Sequence, residues 1–460
     1  MHIPRYHSRG ICYNRKMYNL IQNIFYKFKH SRGFRSTIVI AIMGIASQLL
    51  GMERDILMAN QIGVGEALDI YYAAFKIPDF IYSILISIVA GVTIIPLLSK
   101  AVHEKNWKEV SHKYSALFNF FVLVTLIICV IVFIFMPGII SFIFPHTSIV
   151  WQSKVSDLSR IMLIQPILLN ISNIFATLAM AENKFMTYAI APLFYNLGII
   201  IGIVGFYDSY GERGLIWGVI LGAVLNLAVQ SISFWTCHVR LSFNVWDWSV
   251  VKEELKLAAP RSMSLIMLQG RALFVASMTT LLGTGVLTAY TFANNFYMIP
   301  ITAIGVSFIT VAFPKLSALY ESQKREEFYH KIQNDIVILI CIAVPAAIAF
   351  YFLSSKIVNL VYPHLNDKAS VIIMLSTLSC TIPLYVLTLY YTRASFARRD
   401  AITPLISQSL SVVSVVIAIY LLYIHGYGIL SIVYAFNISL ILEFLIIYFL
   451  FHHKSRIYEN

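Results

Sequence analysis

The sequence predicts an all-α polytopic membrane protein, with about twelve transmembrane helices in two pseudo-symmetric six-helix lobes around a central cavity. Three observations carry this expectation. Apolar runs of about 20 residues recur along the chain, the length a helix needs to cross a bilayer. Hydrophobic residues make up 59% of the 460 residues and charged residues 12%, against about 25% charged in a soluble domain. Positive charge is concentrated in alternate loops. The run length excludes a membrane β-barrel, whose strands alternate over about 10 residues. A helix satisfies its own backbone groups in lipid, so it is the spanning element that remains.

In chain order, residues 1–35 form a basic N-terminal segment with eight Lys/Arg and no acid. It lacks the apolar core and small-residue cleavage site of a signal peptide. Its part Met17–Arg35 mixes aromatic and basic residues, which suits either an anionic membrane surface or a tail that only fixes orientation. Twelve spans follow, at about 36–58, 68–98, 114–136, 157–181, 186–206, 214–237, 259–283, 286–313, 333–354, 369–392, 402–423 and 428–451. Gly63-Val64-Gly65 is the turn between the first two. Pro78 and Pro300 predict tilt or kinking in the long second and eighth spans. The stretch NVWDWSVVKEELKLAAP reads as a short interfacial helix within a cytoplasmic linker, 238–258. The lobes are therefore 36–237 and 259–451, with a tail at 452–460.

Orientation follows from the loops. The termini and the loops on their side hold 25 of the 34 Lys/Arg, and the opposite side holds five. Lysine and arginine concentrate in cytoplasmic loops, so both termini are expected in the cytoplasm of a multi-pass inner-membrane protein. The chain also repeats. Residues 72–102 align with 290–319, Tyr72 matching Tyr290 and Pro96 matching Pro314. Pro166 and Pro192 bracket AMAENKF as Pro383 and Pro404 bracket ASFARRD. Six helices is an even number, so such halves share one orientation, and a site between them is the transporter expectation.

Enzyme chemistry finds no support. There is no phosphate-binding loop, no zinc-protease motif and no clustered histidines, and the loops near 145–156 and 355–368 are short for a polymerase or ligase. The five cysteines form no CxxC pair, so neither disulfide nor metal site is expected. No cofactor and no nucleic-acid partner are expected, and the state is a monomer. Energy comes from the membrane potential, at about 2.3 kcal/mol per charge per 100 mV, or from an ion gradient.

The informative residues are charges within the spans, each costing about 2.5–3.5 kcal/mol at a helix centre. Glu53, Arg54 and Asp55 sit in the first span, Asp69 and Lys76 in the second, and Arg271 interrupts LIMLQGRALFVAS in the seventh. Arg54 and Asp55 are adjacent, hence about 100° apart on a helix, so Arg54 is expected to meet Asp69 or a ligand phosphate rather than Asp55. Arginine suits phosphate by its planar fork of donors. Asp69 and Lys76 lie two turns apart on one face, as an acidic and a basic rung. Against these roles stands a simpler one, in which the charges only pin helices together. Arg271 is expected to line the cavity.

SQLLGMERDILMANQIGVGEALDIYYAAFKIP resembles the first-helix signature of the MviN/MurJ family, lipid II flippases of the multidrug/oligosaccharidyl-lipid/polysaccharide exporter superfamily. The matching residues are Ser47, Leu50, Gly51, Arg54, Asp55, Gly63, Gly65, Asp69, Ala74, Phe75, Lys76 and Pro78. Pro166, Asn183, Phe185, Pro192 and Asn196 resemble the fourth and fifth helices. Pro300 and FPKLS at 313–317 resemble the eighth, and Arg398, Asp400 and Pro404 the tenth-to-eleventh loop. The resemblance implies a flippase that moves an undecaprenyl-diphosphate-linked glycan precursor for peptidoglycan from the inner to the outer leaflet by alternating access. Polyprenyl-diphosphate-linked glycan and membrane lipids are its implied partners.

The chain departs from that pattern at Gln48, at Tyr82 and Ser83, at Ser87, and at Asn295. The resemblance implies arginines at Gln48, Tyr82, Ser83 and Asn295 and an acid at Ser87. Many members also have fourteen helices. The expected substrate-binding residues are therefore Arg54, Lys76, Arg271 and Asn295, with Asp55, Asp69 and Gln48 as gate or structural polar groups. Alternatives are a flippase for another polyprenyl-linked glycan (O-antigen, capsule or exopolysaccharide), an ion-coupled small-molecule exporter of the same superfamily, and a non-transporting scaffold.

Overall fold

The computed structural model describes residues 32–89, 101–182 and 184–459, and all described secondary structure is helical. Ser87, Pro96, Asn183 and most of the basic segment lie outside the described side chains. Each of the twelve expected spans lands on a helix over its described residues, residues 90–98 of the second lying outside them. Helix α1 is Arg32–Gln61, α2 Glu66–Val89 and α3 Trp107–Ile143. The fourth span is α4, Ile149–Met162, continued after Leu163 by α5, Ile164–Ala181. The fifth is α6, Phe185–Ile201, extended by a π-helical turn Gly202–Phe206 and the single turn Tyr207–Tyr210. The sixth is α7, Glu212–Trp235.

The second half runs α8 Trp248–Leu281, α9 Val286–Pro300, a π-helical turn Ile301–Val306, α10 Ser307–Glu321 and α11 Arg325–Val361. It ends with α12 Lys368–Ser379, α13 Ile382–Ala397, α14 Ile402–Ile424 and α15 Leu430–Glu459. An even number of crossings returns the chain to its starting side.

Local chemistry sets the helix boundaries. Asn106, Ser148, Asp247 and Asp367 precede α3, α4, α8 and α12, and each accepts a backbone N–H of the first turn. Such caps satisfy donors that the helix leaves orphaned. The eighth span leaves α-helical geometry immediately after Pro300, where the π-helical turn Ile301–Val306 begins. The tenth span is sharper than expected: α12 and α13 meet at 52°. Pro383 sits at the start of α13, where its ring is tolerated in the first turn but cannot continue the preceding helix. Side chains take up backbone carbonyls at the break: Asn437 Nδ2 donates to the Thr377 carbonyl at 2.8 Å and Thr381 Oγ1 to the Leu378 carbonyl at 2.9 Å, and Thr381 Oγ1 lies 3.0 Å from Asn437 Oδ1 and 3.1 Å from the Tyr297 hydroxyl. The interfacial helix expected before the seventh span is not separate. It is the first part of α8, which Asp247 caps and which runs through Pro260 and Gly270 to Leu281.

Nine spans, counting the bent pair as one, are long and apolar enough to cross a bilayer among the described residues. The remaining three, α1, α2 and α8, carry the charges Glu53, Arg54, Asp55, Asp69, Lys76 and Arg271 singled out in the sequence. Outer faces of α3 and α11 leave Ile134, Phe135, Val337 and Phe352 exposed, as a lipid-facing surface requires. Within the first half, α6 and α7 approach closely along glycines. A Cβ on Gly218 would lie 2.6 Å from Gly202 Cα, and one on Gly222 2.3 Å from the Tyr195 carbonyl oxygen. Gly198, Gly202, Gly214, Gly218 and Gly222 thus form two interlocking small-xxx-small stripes. The halves meet mainly where α2 packs on α8 and α9, and where α3 packs on α8.

Candidate transport cavity

Helix α1 carries Gln48, Arg54 and Asp55 along the face that looks toward α9. These residues, with Asn295, Phe296, Ile299 and Tyr362 from the second half, line one cavity of about 300 Å³. Four residues singled out in the sequence, Gln48, Arg54, Asp55 and Asn295, are therefore neighbours in space. Asn295 is 240 residues from Asp55 and Asn196 is 142 from Arg54, so only the fold brings such groups together.

Within the cavity, Arg54 and Asp55 are a mutual pair, contrary to the expectation. Arg54 Nε and Nη2 reach Asp55 Oδ1 at 3.0 and 2.8 Å. The 100° separation of their Cα–Cβ directions is overcome by the length of the arginine, which folds back along the helix surface. Arg54 Nη1 also donates to Asn196 Oδ1 at 3.4 Å on α6, and Asn196 in turn donates to Ser47. Asp55 Oδ2 accepts from Asn295 Nδ2 at 2.8 Å on α9. A polar chain, Asn196–Arg54–Asp55–Asn295, thus runs from the first half to the second. Arg54 keeps 25% of its side chain exposed and Asp55 7%, so the arginine is the more accessible to an incoming ligand.

Arg54 does not meet Asp69. Asp69 lies at the start of α2, on the face opposite the termini, and caps the N-terminus of α9. Its Oδ2 accepts the Gly285 N–H, and its Oδ1 accepts Thr288 N–H at 2.9 Å and Thr288 Oγ1 at 2.7 Å. A carboxylate at a helix N-terminus also meets the positive end of the helix dipole. Beside it, Val64 N–H donates to Asn366 Oδ1 and Asn366 Nδ2 donates to the Val64 carbonyl, both at 2.8 Å. Gly63 and Gly285 have φ of 79° and 86°, and a Cβ on Gly285 would lie 2.7 Å from a Val64 methyl. Glycine is needed at both for the left-handed backbone and for the close approach. Together these contacts make a clasp between the halves.

Lys76 is not the partner of Asp69. It is partly buried on α2, makes no ion pair among the described residues, and has Asp79 as its nearby carboxylate. The ladder fails because Asp69 is turned into the α9 cap. Arg271 is buried in a different cavity, within the second half, where Nη1 pairs with Glu443 Oε2 at 3.1 Å. The arginine-replacing positions are satisfied by neutral bonds: the Tyr82 hydroxyl accepts from Asn173 at 2.9 Å, and Ser83 Oγ accepts from Gln269 at 2.8 Å across the two halves.

The residues missed in the sequence are Thr288, Asn366, Asn196 as a ligand of Arg54, and Glu443. Glu443 had a signal, a lone acid in the apolar run ISLILEFLIIYF, and the rule that found Arg271 finds it too. Asn366 had none, being one polar residue in a polar loop.

On the termini side, two charged turns fix helix ends. Asp400 receives Lys454 Nζ at 2.9 Å, Thr403 Oγ1 at 2.7 Å and the Thr403 N–H at 3.1 Å. Burial opposes its ionisation, but the bonds from Thr403 and Lys454 prevail and hold its carboxyl down at about 2. Glu182 is likewise held below the ordinary carboxylate range: burial resists, and bonds from Lys184 and His238 more than offset it.

Residues 58–460 match the family profile described as Lipid II flippase MurJ. The probable lipid II flippase MurJ of Buchnera aphidicola subsp. Acyrthosiphon pisum (strain APS) is 24% identical over 336 residues, covering 71% of this chain and 65% of that protein. The probable lipid II flippase MurJ of Rhizobium tropici is 24% identical over 382 residues, covering 78% and 70%. The matched part of the chain thus spans about two thirds of the length of these curated relatives. Among solved structures, a lipid II flippase MurJ in an inward closed conformation superposes with a TM-score of 0.77 at 23% identity, covering 90% of this chain and 87% of that one. An inward-facing multidrug resistance MATE family transporter of the MOP superfamily gives 0.71 at 15% identity, covering 91% and 99%. At these identities the likeness establishes the fold.

Proposed function

The chain belongs to the lipid II flippase MurJ family, and on that premise we propose that it moves an undecaprenyl-diphosphate-linked glycan precursor of the lipid II type from the inner to the outer leaflet of a bacterial inner membrane. Transport follows alternating access of the two halves, with both termini cytoplasmic and no chemical conversion of the cargo. The observation that carries this reading is the Arg54–Asp55–Asn295 constellation, in a cavity between halves that are clasped on the face opposite the termini.

The roles follow from the geometry. Without cargo, Asp55 occupies the Nε/Nη2 fork of Arg54. Asp55 fills the fork with one oxygen, Oδ1; a diphosphate offers two oxygens and more charge, so it competes for that fork. Displacing Asp55 also alters its bond to Asn295, which joins α1 to α9. Cargo entry is thus coupled to a contact between the halves. Movement to the outward-open state requires release of the Asp69 cap and the Asn366 bonds. Lys76 and Gln48 serve as lining groups, and the return of the empty carrier is driven by the membrane potential or an ion gradient.

A second reading is favoured by one specific observation. Gln48, Tyr82, Ser83 and Asn295 are neutral and already hydrogen-bonded or cavity-lining, so Arg54 and Asp55 leave this cavity with no net formal charge among its described residues. A polyprenyl-linked glycan with a different or less anionic head group then becomes the cargo. Complementation separates the two. A bacterium depleted of its own lipid II flippase is supplied with this chain or with Arg54→Ala, with membrane expression verified. Rescue that is lost in Arg54→Ala supports lipid II. Absence of rescue by the parent chain refutes lipid II as cargo and leaves the other glycan.

A further inference from the structure

The cavity that holds Arg271 lies in the second half, between α8, α13, α14 and α15, toward the Arg398–Ala401 turn. It shares no lining residue with the Arg54 cavity. Its volume is about 150 Å³. A single water needs only about 10–15 Å³ of such space, so the cavity admits a group of several heavy atoms.

Its walls are built for an acceptor-rich guest. Arg271 is 7% exposed. Both of its hydrogen bonds leave from Nη1, to Glu443 Oε2 at 3.1 Å and to Ser411 Oγ at 3.2 Å, while the Phe436 ring lies 5.3 Å from its Cζ. Nε and Nη2 have no acceptor among the described residues. Gln408 is 6% exposed and lines the same cavity; its Oε1 is buried without a hydrogen-bond partner among the described residues, and its Nε2 meets no acceptor among them. Buried polar groups are almost always paired, and a buried donor left unmade costs about 1–3 kcal/mol, more when charged. The guanidinium edge of Arg271 and the primary amide of Gln408 border one small, largely apolar space.

We propose that this cavity is a binding site for a phosphate-sized oxyanion, held by the free edge of Arg271 and the Gln408 amide. Glu443 takes the other edge of the guanidinium and so fixes its plane. The apolar wall formed by Leu265, Leu268 and Leu440 suits a phosphate that arrives on a lipid as well as a free one. The assignment is independent of which cargo the Arg54 cavity carries.

The test uses the purified full-length chain in detergent and reads the thermal unfolding midpoint against two probes. One is inorganic phosphate at constant ionic strength, with chloride as the control. The other is a polyprenyl monophosphate in mixed micelles. The parent protein is expected to show a saturable rise in midpoint with at least one probe. A response to both identifies free phosphate as a ligand, and a response to the lipid alone identifies a head group. Gln408→Leu keeps the packing volume and is expected to weaken the apparent affinity about tenfold or more, with its ligand-free midpoint near that of the parent. Arg271→Lys, which keeps the charge beside Glu443 but loses the fork, weakens it similarly. Arg54→Ala removes at most the part of the response that the other cavity contributes and leaves the Gln408-dependent part in place. No saturable rise with either probe overturns the proposal in favour of a water-filled cavity. So does parental affinity in both Gln408→Leu and Arg271→Lys. Loss of the response in Arg54→Ala overturns it too, by placing the phosphate in the other cavity.

Discussion

Asp69→Ala should open the face opposite the termini. Asp69 accepts three hydrogen bonds from α9, one from Gly285 and two from Thr288, and all three cross between the halves. Loss of a helix cap alone costs about 0.5–2 kcal/mol, and hydrogen bonds to a charged group are worth about 1.5–3 kcal/mol each. These overlap, because one carboxylate makes all of them. A loss of about 3 kcal/mol is a reasonable total, and it falls on the clasped state only, since in the open state water takes over both partners. At 1.4 kcal/mol per tenfold, the open-to-closed ratio rises about 100-fold. Asp69→Asn keeps one acceptor oxygen and should shift it about tenfold.

The assay is pulsed electron–electron resonance on the chain in nanodiscs, with the five native cysteines replaced and spin labels at Gln61→Cys and His364→Cys. Both positions are exposed and flank the clasp from the two halves. The parent should give one short distance, and Asp69→Ala should add a longer population that dominates. Glu66→Gln, an exposed acid on the same first turn of α2, is the control and should change nothing. Superimposable distributions for the parent and a folded Asp69→Ala would refute the clasp as the element that holds this face shut.

Two other outcomes follow from the same structure. Gly218→Leu should sharply lower the yield of folded protein and its unfolding midpoint, because a Cβ there meets the Gly202 backbone at 2.6 Å and overpacking costs at least about 1–3 kcal/mol. Gly138→Ala, with nothing within 4 Å of its Cβ, should be neutral in the same melt. Asp400→Asn should destabilise the α13–α14 turn by about 1–2 kcal/mol at pH 7, allowing for solvent screening. The Asp400 carboxyl is depressed from 3.8 to about 2. Its contribution is therefore complete above pH 3.8 and is lost as pH falls through 2. The midpoint gap between parent and variant should be constant from pH 7 to about 5 and close below pH 4. A gap that closes already between pH 7 and 5 assigns the effect to another group.

The spans were legible because each is a long apolar run, and run length depends on nothing distant in sequence. The clasp was legible by half. Asp69 stood out as a charge in an apolar context, but its partners are the backbone of Gly285 and the side chain of Thr288, which carry no charge to betray them. The Arg54–Asp55 pair was misread for a physical reason. Helical spacing fixes where Cβ points, and a guanidinium several bonds further on is free to turn back. The α6–α7 glycine stripes were present in the sequence at four-residue intervals, yet a transmembrane helix rich in glycine tolerates many arrangements. Only the partner helix shows which glycines face it. The break between α12 and α13 needed knowledge that Thr381 finds Asn437 and Tyr297, without which a proline near a helix start predicts nothing beyond the boundary.

The correction to Arg54 changes what kind of site the cavity is. An unpaired arginine would attract a diphosphate from a distance and hold it by charge alone. A paired one offers no net charge at range, so selectivity rests on contact: the guest must outcompete Asp55 for the same two nitrogens. Only a bidentate oxyanion does that well. Because Asp55 is also held by Asn295 from the other half, the guest that succeeds necessarily disturbs a bond between the halves, while a neutral sugar or a cation that enters the cavity does not. On the proposed function, the neutral residues at Gln48 and Asn295 remain compatible with an anionic cargo, provided that cargo is recognised by contact with the Arg54 fork rather than by net charge.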